Sequence, residues 1–191
     1  MTWCPTTKID NKQYYCGYCG VQIATNEGIL RQTTNPQSNT LAFEFIYICS
    51  NCQGPTYFNL NNHQTPGPMP CESVKEVPPD TAALFHEARC ATAAGAYTAA
   101  VLLCRKILMH VAVEKGAAQN KTFQHYVQYL DENRHITTNA KEWIDRIRQK
   151  ANDATHEIVL MDNEDAHLIL EFTEMLLKLV YEFPKKLSRR S

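Results

Sequence analysis

The chain has 191 residues, with 19 basic and 20 acidic side chains and a formal net charge of −1 at pH 7. A chain of this length can hold one small metal-stabilised domain and one ordinary hydrophobic core. The near-zero charge argues against a protein covered in positive potential, so nucleic-acid binding would need a local basic patch. We see no leader-like start and no apolar run near the roughly 20 residues that a membrane span requires. We therefore expect a cytoplasmic protein without a membrane partner.

Two cysteine pairs near the start of the chain, Cys16–Cys19 and Cys49–Cys52, each enclose two residues. Each pair can project two thiolates from one tight turn, and two such turns supply the four soft ligands that tetrahedral zinc prefers. Disulfides are the alternative, but they are rare in a reducing compartment. A redox-active pair would need a βαβ setting, which the sequence does not suggest. We predict a structural Zn²⁺ with four ligands: Cys16, Cys19, Cys49 and Cys52.

The segment around these cysteines has the composition of β-strands. Leu41–Ile48 leads into the second cysteine turn, Pro55–Phe58 leaves it, and residues 21–24 leave the first turn. Alternation places four apolar side chains on one face: Leu41, Phe43, Phe45 and Tyr47. The polar residues 26–39 predict a loop or the end of a long hairpin. We therefore predict a zinc ribbon over residues 1–60, with two metal-holding turns that face each other across a small antiparallel sheet.

Residues 61–79 contain five prolines and little apolar periodicity, which predicts a linker. Cys4 and Cys71 belong to no pair, and either is a candidate spare metal ligand. From Asp80 onward the composition changes to helix formers. The basic residues 185–191 at the other end predict a solvated chain end, with a nucleic-acid contact as the alternative.

The helical part predicts a bundle of four to five antiparallel helices over residues 80–184, so the fold class is α+β. Its predicted helices span residues 80–94, 97–115, 123–133, 138–150 and 162–183. Asp80 is expected to cap the first helix, and Leu102 of the second is expected to face the core. Gly116 and Pro184 are the expected ends of the second and last helices.

A cluster of cationic and polar side chains follows the apolar stretch of the fourth predicted helix. Arg148, Asn152 and His156 are spaced at i, i+4 and i+8, so a continuous helix places them along one stripe. Arginine offers a fixed fork for phosphate oxygens, and histidine can act as acid or base near neutral pH. RNA carries its own nucleophile, the 2′-hydroxyl, so the three are candidate catalytic residues. The alternative is an exposed helix end with a buried, backbone-bonded His156.

Five blocks of the chain resemble, in order, the pattern of one helical family: Pro78–Asp80, Glu87–Ala88, Ala94–Val101, Arg105–Leu108 and Arg148–His156. That family, domain of unknown function family 4145, often follows an N-terminal zinc ribbon and occurs in prophages, mobile elements and beside defence genes. It is similar to the HEPN superfamily (higher eukaryote and prokaryote nucleotide-binding). Many HEPN proteins are metal-independent endoribonucleases that dimerise so that paired arginine and histidine residues meet in one cleft. The resemblance therefore implies a HEPN-like bundle and a homodimer.

The resemblance also implies roles for individual residues. Arg148 would bind phosphate, His156 would transfer protons, and Asn152 would take the polar position between them. The candidate nucleic-acid-binding residues are Arg105, Arg146 and Lys150. Two features differ from the family pattern: the spacing from Arg148 to His156 is longer than usual, and Met109 stands where a glutamate is usual.

Two hypotheses about function follow. The first is a nucleic-acid-associated protein of bacterial or phage conflict that cleaves RNA without a metal. The second is a non-catalytic interaction or regulatory module that dimerises through the bundle and docks a protein partner through the ribbon. The ribbon aromatics expected to dock it are Tyr14, Tyr15, Tyr18 and Tyr57. A purely structural protein or a phage-encoded inhibitor is a third alternative.

Overall fold

The computed structural model describes residues 7–35, 37, 39–136 and 160–189. They form an α+β fold in which an antiparallel five-stranded sheet precedes a helical region. The chain divides into two compact units. The first comprises Met1–Pro70 with Ala93–Gly95, and the second comprises Cys71–Thr92 with Ala96–Ser191. Among the described helices, none combines the length and apolarity that crossing a membrane requires.

The sheet is a simple antiparallel meander, because each strand pairs with the next one along the chain. The strands are β1 (Thr7–Tyr15), β2 (Gln22–Thr34), β3 (Leu41–Ile48), β4 (Pro55–Phe58) and β5 (Gln64–Thr65). In a meander, alternate turns fall at the same end of the sheet. The β1–β2 turn and the β3–β4 turn therefore lie at one end, and these are the turns that contain the two cysteine pairs.

Strands β3 and β4 have the predicted bounds, but β2 is much longer than expected. Of the two alternatives for residues 26–39, the end of a long hairpin is confirmed and the loop is wrong as far as Thr34, since β2 pairs with β3 up to Thr34 opposite Leu41. Polar side chains are compatible with a strand here because this part of the sheet is open to solvent. The short β5 falls within the segment predicted as a linker.

The core of the ribbon is a small aromatic cluster next to the cysteine turns. Tyr14, Tyr47 and Phe58 are buried together with Ile23. The Tyr14 and Phe58 rings meet edge to face with their centroids 5.2 Å apart. The register confirms that the four apolar side chains predicted for one face of β3 lie on the same side of the sheet. Among them only Tyr47, at the cysteine end of the strand, is buried. A core of this size is small for independent stability without a metal.

The helical unit contains α1 (Pro79–Ala93) except its last residue, together with α2 (Tyr97–Glu114), α3 (Phe123–Glu132) and α4 (Asn163–Leu177). These confirm the first three predicted helices and the start of the last. The predicted helix over residues 138–150 lies outside the described residues. Two of the helix starts carry side-chain caps: Thr122 accepts from the His125 N–H at the start of α3, and Asp162 forms a capping box with Asp165 at the start of α4.

Helix α2 lies at the centre of the helical core and packs against α3 and α4. The largest fully buried side chains of this core include Leu108, Leu130, Phe172 and Leu176. The prediction that Leu102 faces the core is wrong, because its side chain is 58% exposed. Asp80 lies within the first turn of α1, which begins at Pro79, where a proline without an N–H is well accommodated.

The sequence predicts that the last helix ends at Pro184, but this prediction is wrong. One π-helical turn (Lys178–Glu182) follows α4, and a further helix, α5 (Phe183–Ser188), continues through the proline. The N–H of Phe183 bonds to the carbonyl of Lys178, five residues back. In a regular α-helix the proline ring clashes with the carbonyl four residues before it. The wider turn immediately before Pro184 relieves that clash.

Within the helical unit, residues 71–77 lie along the last helix. Glu174 accepts a hydrogen bond from the backbone N–H of Glu72 at 3.3 Å. The carboxylate of Glu76 pairs with Lys185 at 3.4 Å and with Arg189 at 2.7 Å. The basic chain end therefore contacts acidic side chains of the same unit.

Candidate metal centre and the helical site

The four paired cysteines come together at one end of the sheet. Their Sγ atoms all lie within 4.8 Å of one another. The Cys16 and Cys52 sulfurs are 3.7 Å apart, and the Cys19 and Cys49 sulfurs are 3.8 Å apart. Four sulfurs held about 2.3 Å from a tetrahedral Zn²⁺ would be about 3.8 Å from one another. The four cysteines can therefore bind a metal ion, and their spacing fits zinc.

The two cysteine turns close in the same way. The Gly20 N–H donates to the Cys16 carbonyl at 2.9 Å, and the Gln53 N–H donates to the Cys49 carbonyl at 2.9 Å. Gly20 and Gln53, each directly after the second cysteine of a pair, have φ values of 72° and 62°. This left-handed conformation turns the chain back toward the sheet, and it suits glycine better than glutamine.

Hydrogen-bond donors point at the sulfurs. The Tyr18 N–H lies 3.4 Å from the Cys16 sulfur, and the Asn51 side-chain amide lies 3.5 Å from the Cys19 sulfur. Cys16 and Cys49 are completely buried. Burial raises the pKa of the Cys16 thiol, while the Tyr18 N–H lowers it. A bound cation is what would keep such a buried sulfur in its thiolate form.

The backbone packs tightly around the metal-binding turns. A Cβ at Gly17 would lie 2.3 Å from the carbonyl oxygen of Gly67 and 2.9 Å from that of Pro66. A Cβ at Gly54 would lie 2.7 Å from Cδ2 of the Tyr18 ring, so the two turns also touch each other. No side chain fits at either position unless its neighbours move.

The other candidate metal ligands do not join this centre in the described ranges. Cys71 packs against the core of the helical unit, and its carbonyl accepts a hydrogen bond from Arg89 at 2.8 Å. Cys4 lies outside the described residues. Within residues 7–35, 37, 39–136 and 160–189, the paired cysteines form the one cluster of three or more histidine, cysteine or acidic side chains placed to hold a metal.

The structure describes one of the six predicted residues of the helical site. The others lie outside the described residues: Arg146, Arg148, Lys150, Asn152 and His156. Arg105 lies on α2 with its guanidinium 4.7 Å from the centroid of the Phe123 ring, a cation–π contact. Burial lowers the pKa of Arg105. Met109, one turn further along, packs against the core and offers no charge to the guanidinium.

Two of the four ribbon tyrosines expected to contact a partner are exposed to solvent. Tyr15 and Tyr18 are 52% and 44% exposed. Tyr14 was expected to be exposed, but its ring is buried against Phe58. Tyr57 is half-buried, and its hydroxyl donates to Glu44 at 2.7 Å.

The helical unit contains a cavity that no sequence pattern predicted. It has a volume of about 960 Å³ and lies among the ends of α2 and α3 and the π-helical turn. Its described lining includes Lys115, Arg134, His135, Leu179 and Val180. These residues come from three separate stretches of the chain, so no local pattern could reveal it. Burial and the neighbouring Lys115 lower the pKa of His135.

Comparison with known proteins places the helical part in a family. The family model described as Domain of unknown function (DUF4145) matches residues 86–191, which is more than half of the chain. The chain belongs to the DUF4145 family. The DUF4145 match begins within α1 and includes α2, α3, α4 and α5. No curated protein and no solved structure matches the chain.

Proposed function

We propose that this DUF4145 protein binds one structural Zn²⁺ in its ribbon and acts on RNA through its helical unit. Four thiolates fill a tetrahedral coordination sphere and leave no position for a catalytic water. The metal therefore stabilises the ribbon, and the proposed RNA cleavage proceeds without it. The helical unit is proposed to be HEPN-like and to work as a homodimer in bacterial or phage conflict.

In the proposed reaction His156 removes the proton of a ribose 2′-hydroxyl, and the 2′-oxygen attacks the adjacent phosphorus. The bond to the 5′-oxygen breaks, and the protonated His156 delivers its proton to that oxygen, which returns the histidine to its neutral form. The products are a 2′,3′-cyclic phosphate and a 5′-hydroxyl. Arg148 binds the phosphate oxygens, and Asn152 holds the polar position between the two. Arg146 and Lys150 contact the RNA backbone nearby.

The surroundings of Arg105 are the structural observation that supports an anion site. A guanidinium keeps its charge, so a half-buried arginine needs a compensating partner. Among the described residues no carboxylate forms an ion pair with Arg105, and its contact there is with the Phe123 ring. Met109 occupies the position where the family pattern usually has a glutamate. A phosphate group is a fitting partner for this guanidinium.

The test is RNA cleavage by the zinc-loaded, full-length protein in the presence of EDTA. His156→Ala should lower the rate by about 10²- to 10⁴-fold, the usual contribution of a general acid or base. His110→Ala is the matched control, because His110 is exposed on α2. Zinc content and thermal unfolding are measured for each protein. Equal rates for the wild type and His156→Ala would reject the proposed mechanism.

A second candidate function is a non-catalytic module that docks a partner protein through the ribbon. The exposure of Tyr15 and Tyr18 beside the cysteine turns supports it. Tyrosine is enriched at protein interfaces because its ring offers a large contact area at a low entropic cost. Absence of cleavage on both structured and unstructured RNA would favour this module over the nuclease.

A further inference from the structure

The end of the β2–β3 hairpin that lies away from the cysteines carries an uncharged apolar face. Leu30, Leu41 and Phe43 are 44%, 60% and 40% exposed. Because Leu30 pairs with Phe45, and Thr34 pairs with Leu41, these side chains lie on the same face as the buried Tyr47. We call this the hairpin face, and it consists of Leu30, Gln32, Thr34, Leu41 and Phe43.

One backbone edge beside the hairpin face is open. β4 pairs with β3 only from Phe45 to Ile48. Residues 41–44, which we call the open edge, therefore have no strand on the β4 side within the described residues. The chain turns away after Phe58, where the Asn59 N–H donates to the His63 carbonyl at 3.1 Å. An open edge presents backbone N–H and C=O groups to any strand that can pair with it.

The charges on the opposite side of this end of the hairpin are already paired. Arg31 and Glu44 form an ion pair at 3.4 Å, and the Tyr57 hydroxyl donates to the same carboxylate at 2.7 Å. Residues 29–34 and 41–46 thus carry no net charge. A partner that lies along it should be uncharged where it makes contact.

A second copy of the chain and an extended peptide are the two possible occupants of the hairpin face, and the area of the face favours the peptide. Its three large apolar side chains expose about 300 Å² together, given the size of such side chains and their exposed fractions. A stable complex buries about 800 Å² on each partner. The hairpin face is therefore too small to hold a dimer by itself. It matches the smaller contact that a short extended segment makes when its backbone supplies most of the hydrogen bonds.

We propose that the open edge binds an extended segment of a partner protein as an added β-strand. Uncharged apolar side chains at alternating positions of that segment cover Leu41 and Phe43, and its backbone pairs with residues 41–44. This surface deepens the second candidate function. It requires the ribbon to be folded around its metal, but it does not depend on ribonuclease activity.

The test uses the full-length, zinc-loaded protein and a capped synthetic peptide of alternating valine and threonine. NMR follows the backbone amides during a titration, and hydrogen exchange is compared with and without the peptide. Saturable shifts and slower exchange are expected at residues 41–44. The same peptide with N-methylated backbone amides should not bind, because it cannot donate to the edge.

Substitutions test whether the peptide contacts the hairpin face or another part of the sheet. Leu41→Lys and Phe43→Lys should each weaken peptide binding about tenfold, since each replaces apolar contact by a charge. Ile29→Lys is the matched control, because Ile29 is 41% exposed but lies on the opposite face. It should change the affinity by less than about twofold, a small effect for a residue outside the contact. Zinc content confirms that each variant has a folded ribbon.

Three outcomes would overturn the proposal. The peptide could fail to bind, or it could bind equally well to Leu41→Lys and Phe43→Lys. Alternatively, sedimentation could show a dimer that the same two substitutions dissociate, in which case the occupant is a second copy of the chain. RNA cleavage measured on the same variants is an independent readout, so its loss or retention bears only on the nuclease proposal.

Discussion

Glu182 accepts a hydrogen bond from the backbone N–H of Lys75 at 3.0 Å, across 107 residues of sequence. Glu182 is 6% exposed, and its other carboxylate oxygen accepts a hydrogen bond from the ammonium of Lys186, one turn further along the helix. A buried carboxylate is stable only with such compensation. This contact holds the residues before α1 against the end of the chain.

The first prediction concerns acid stability. The Lys186 ammonium and the Lys75 N–H hold the pKa of Glu182 below its usual value. A carboxyl group with a lowered folded-state pKa stabilises the fold above its unfolded pKa, and that stability is lost as the pH falls through the folded value. Glu182→Gln should therefore lower the urea midpoint near neutral pH, and the loss should shrink below about pH 4, near the ordinary glutamate pKa.

The matched control for this prediction is Glu171→Gln on the exposed side of α4. Its urea midpoint should follow that of the wild type at every pH. If Glu182→Gln and the wild type differed by a constant amount from neutral to acid pH, the pairing of Glu182 would not be the source of the acid sensitivity.

The second prediction concerns the metal centre. Cys49→Ser removes a buried ligand, so the zinc content should fall well below one ion per chain, and the β-sheet signal should be lost. The helical signal should persist, because the helical core contains no residue of the ribbon. Elemental analysis and circular dichroism measure both. Cys90→Ser, a change on α1 outside the centre, should keep one zinc per chain.

The third prediction concerns the close approach at Gly17. Gly17→Ala places a Cβ against the carbonyl oxygens of Pro66 and Gly67, which should destabilise the ribbon by about 1–3 kcal/mol. Zinc should then be lost to a competing chelator at a lower chelator concentration. Ser50→Ala is the control, since residue 50 is the equivalent position of the second turn and already carries an exposed side chain. Equal chelator sensitivity of the two variants would contradict the packing argument.

The fourth prediction concerns Arg105 and rests on the proposed function. Arg105→Gln should weaken RNA binding at low salt and reduce the slope of log affinity against log salt by about 1. Lys106→Gln changes the charge by the same amount at an exposed neighbouring position and should have the smaller effect. If the two variants behaved alike, only the general charge of α2 would matter, and a phosphate site at Arg105 would be ruled out.

The sequence was sufficient to predict the parts of the fold that depend on local patterns. The cysteine spacing predicted the cluster, and the β-branched and aromatic run predicted the bounds of β3. Periodicity and capping residues predicted α2, α3 and the start of α4 at Asp162. In each case the determining residues lie within one element or within one turn.

The errors arose where distant residues decide the structure. β2 extends through polar residues because β3 pairs with them, and Tyr14 is buried because Phe58 packs against its ring. The helix beyond Pro184 persists because a π-helical turn precedes the proline. Propensity alone predicts a break there, and tertiary context overrides it.

The π-helical turn also fixes the direction in which the basic end of the chain points. One extra residue in a helix rotates everything after it by about 100° relative to an uninterrupted α-helix. With that rotation included, Lys185 and Arg189 both reach Glu76. Deleting one residue from Lys178–Glu182 would restore a regular helix and turn the same cations toward a different side of the protein. Deletion of an uncharged residue there would thus redistribute surface charge without removing a charged side chain.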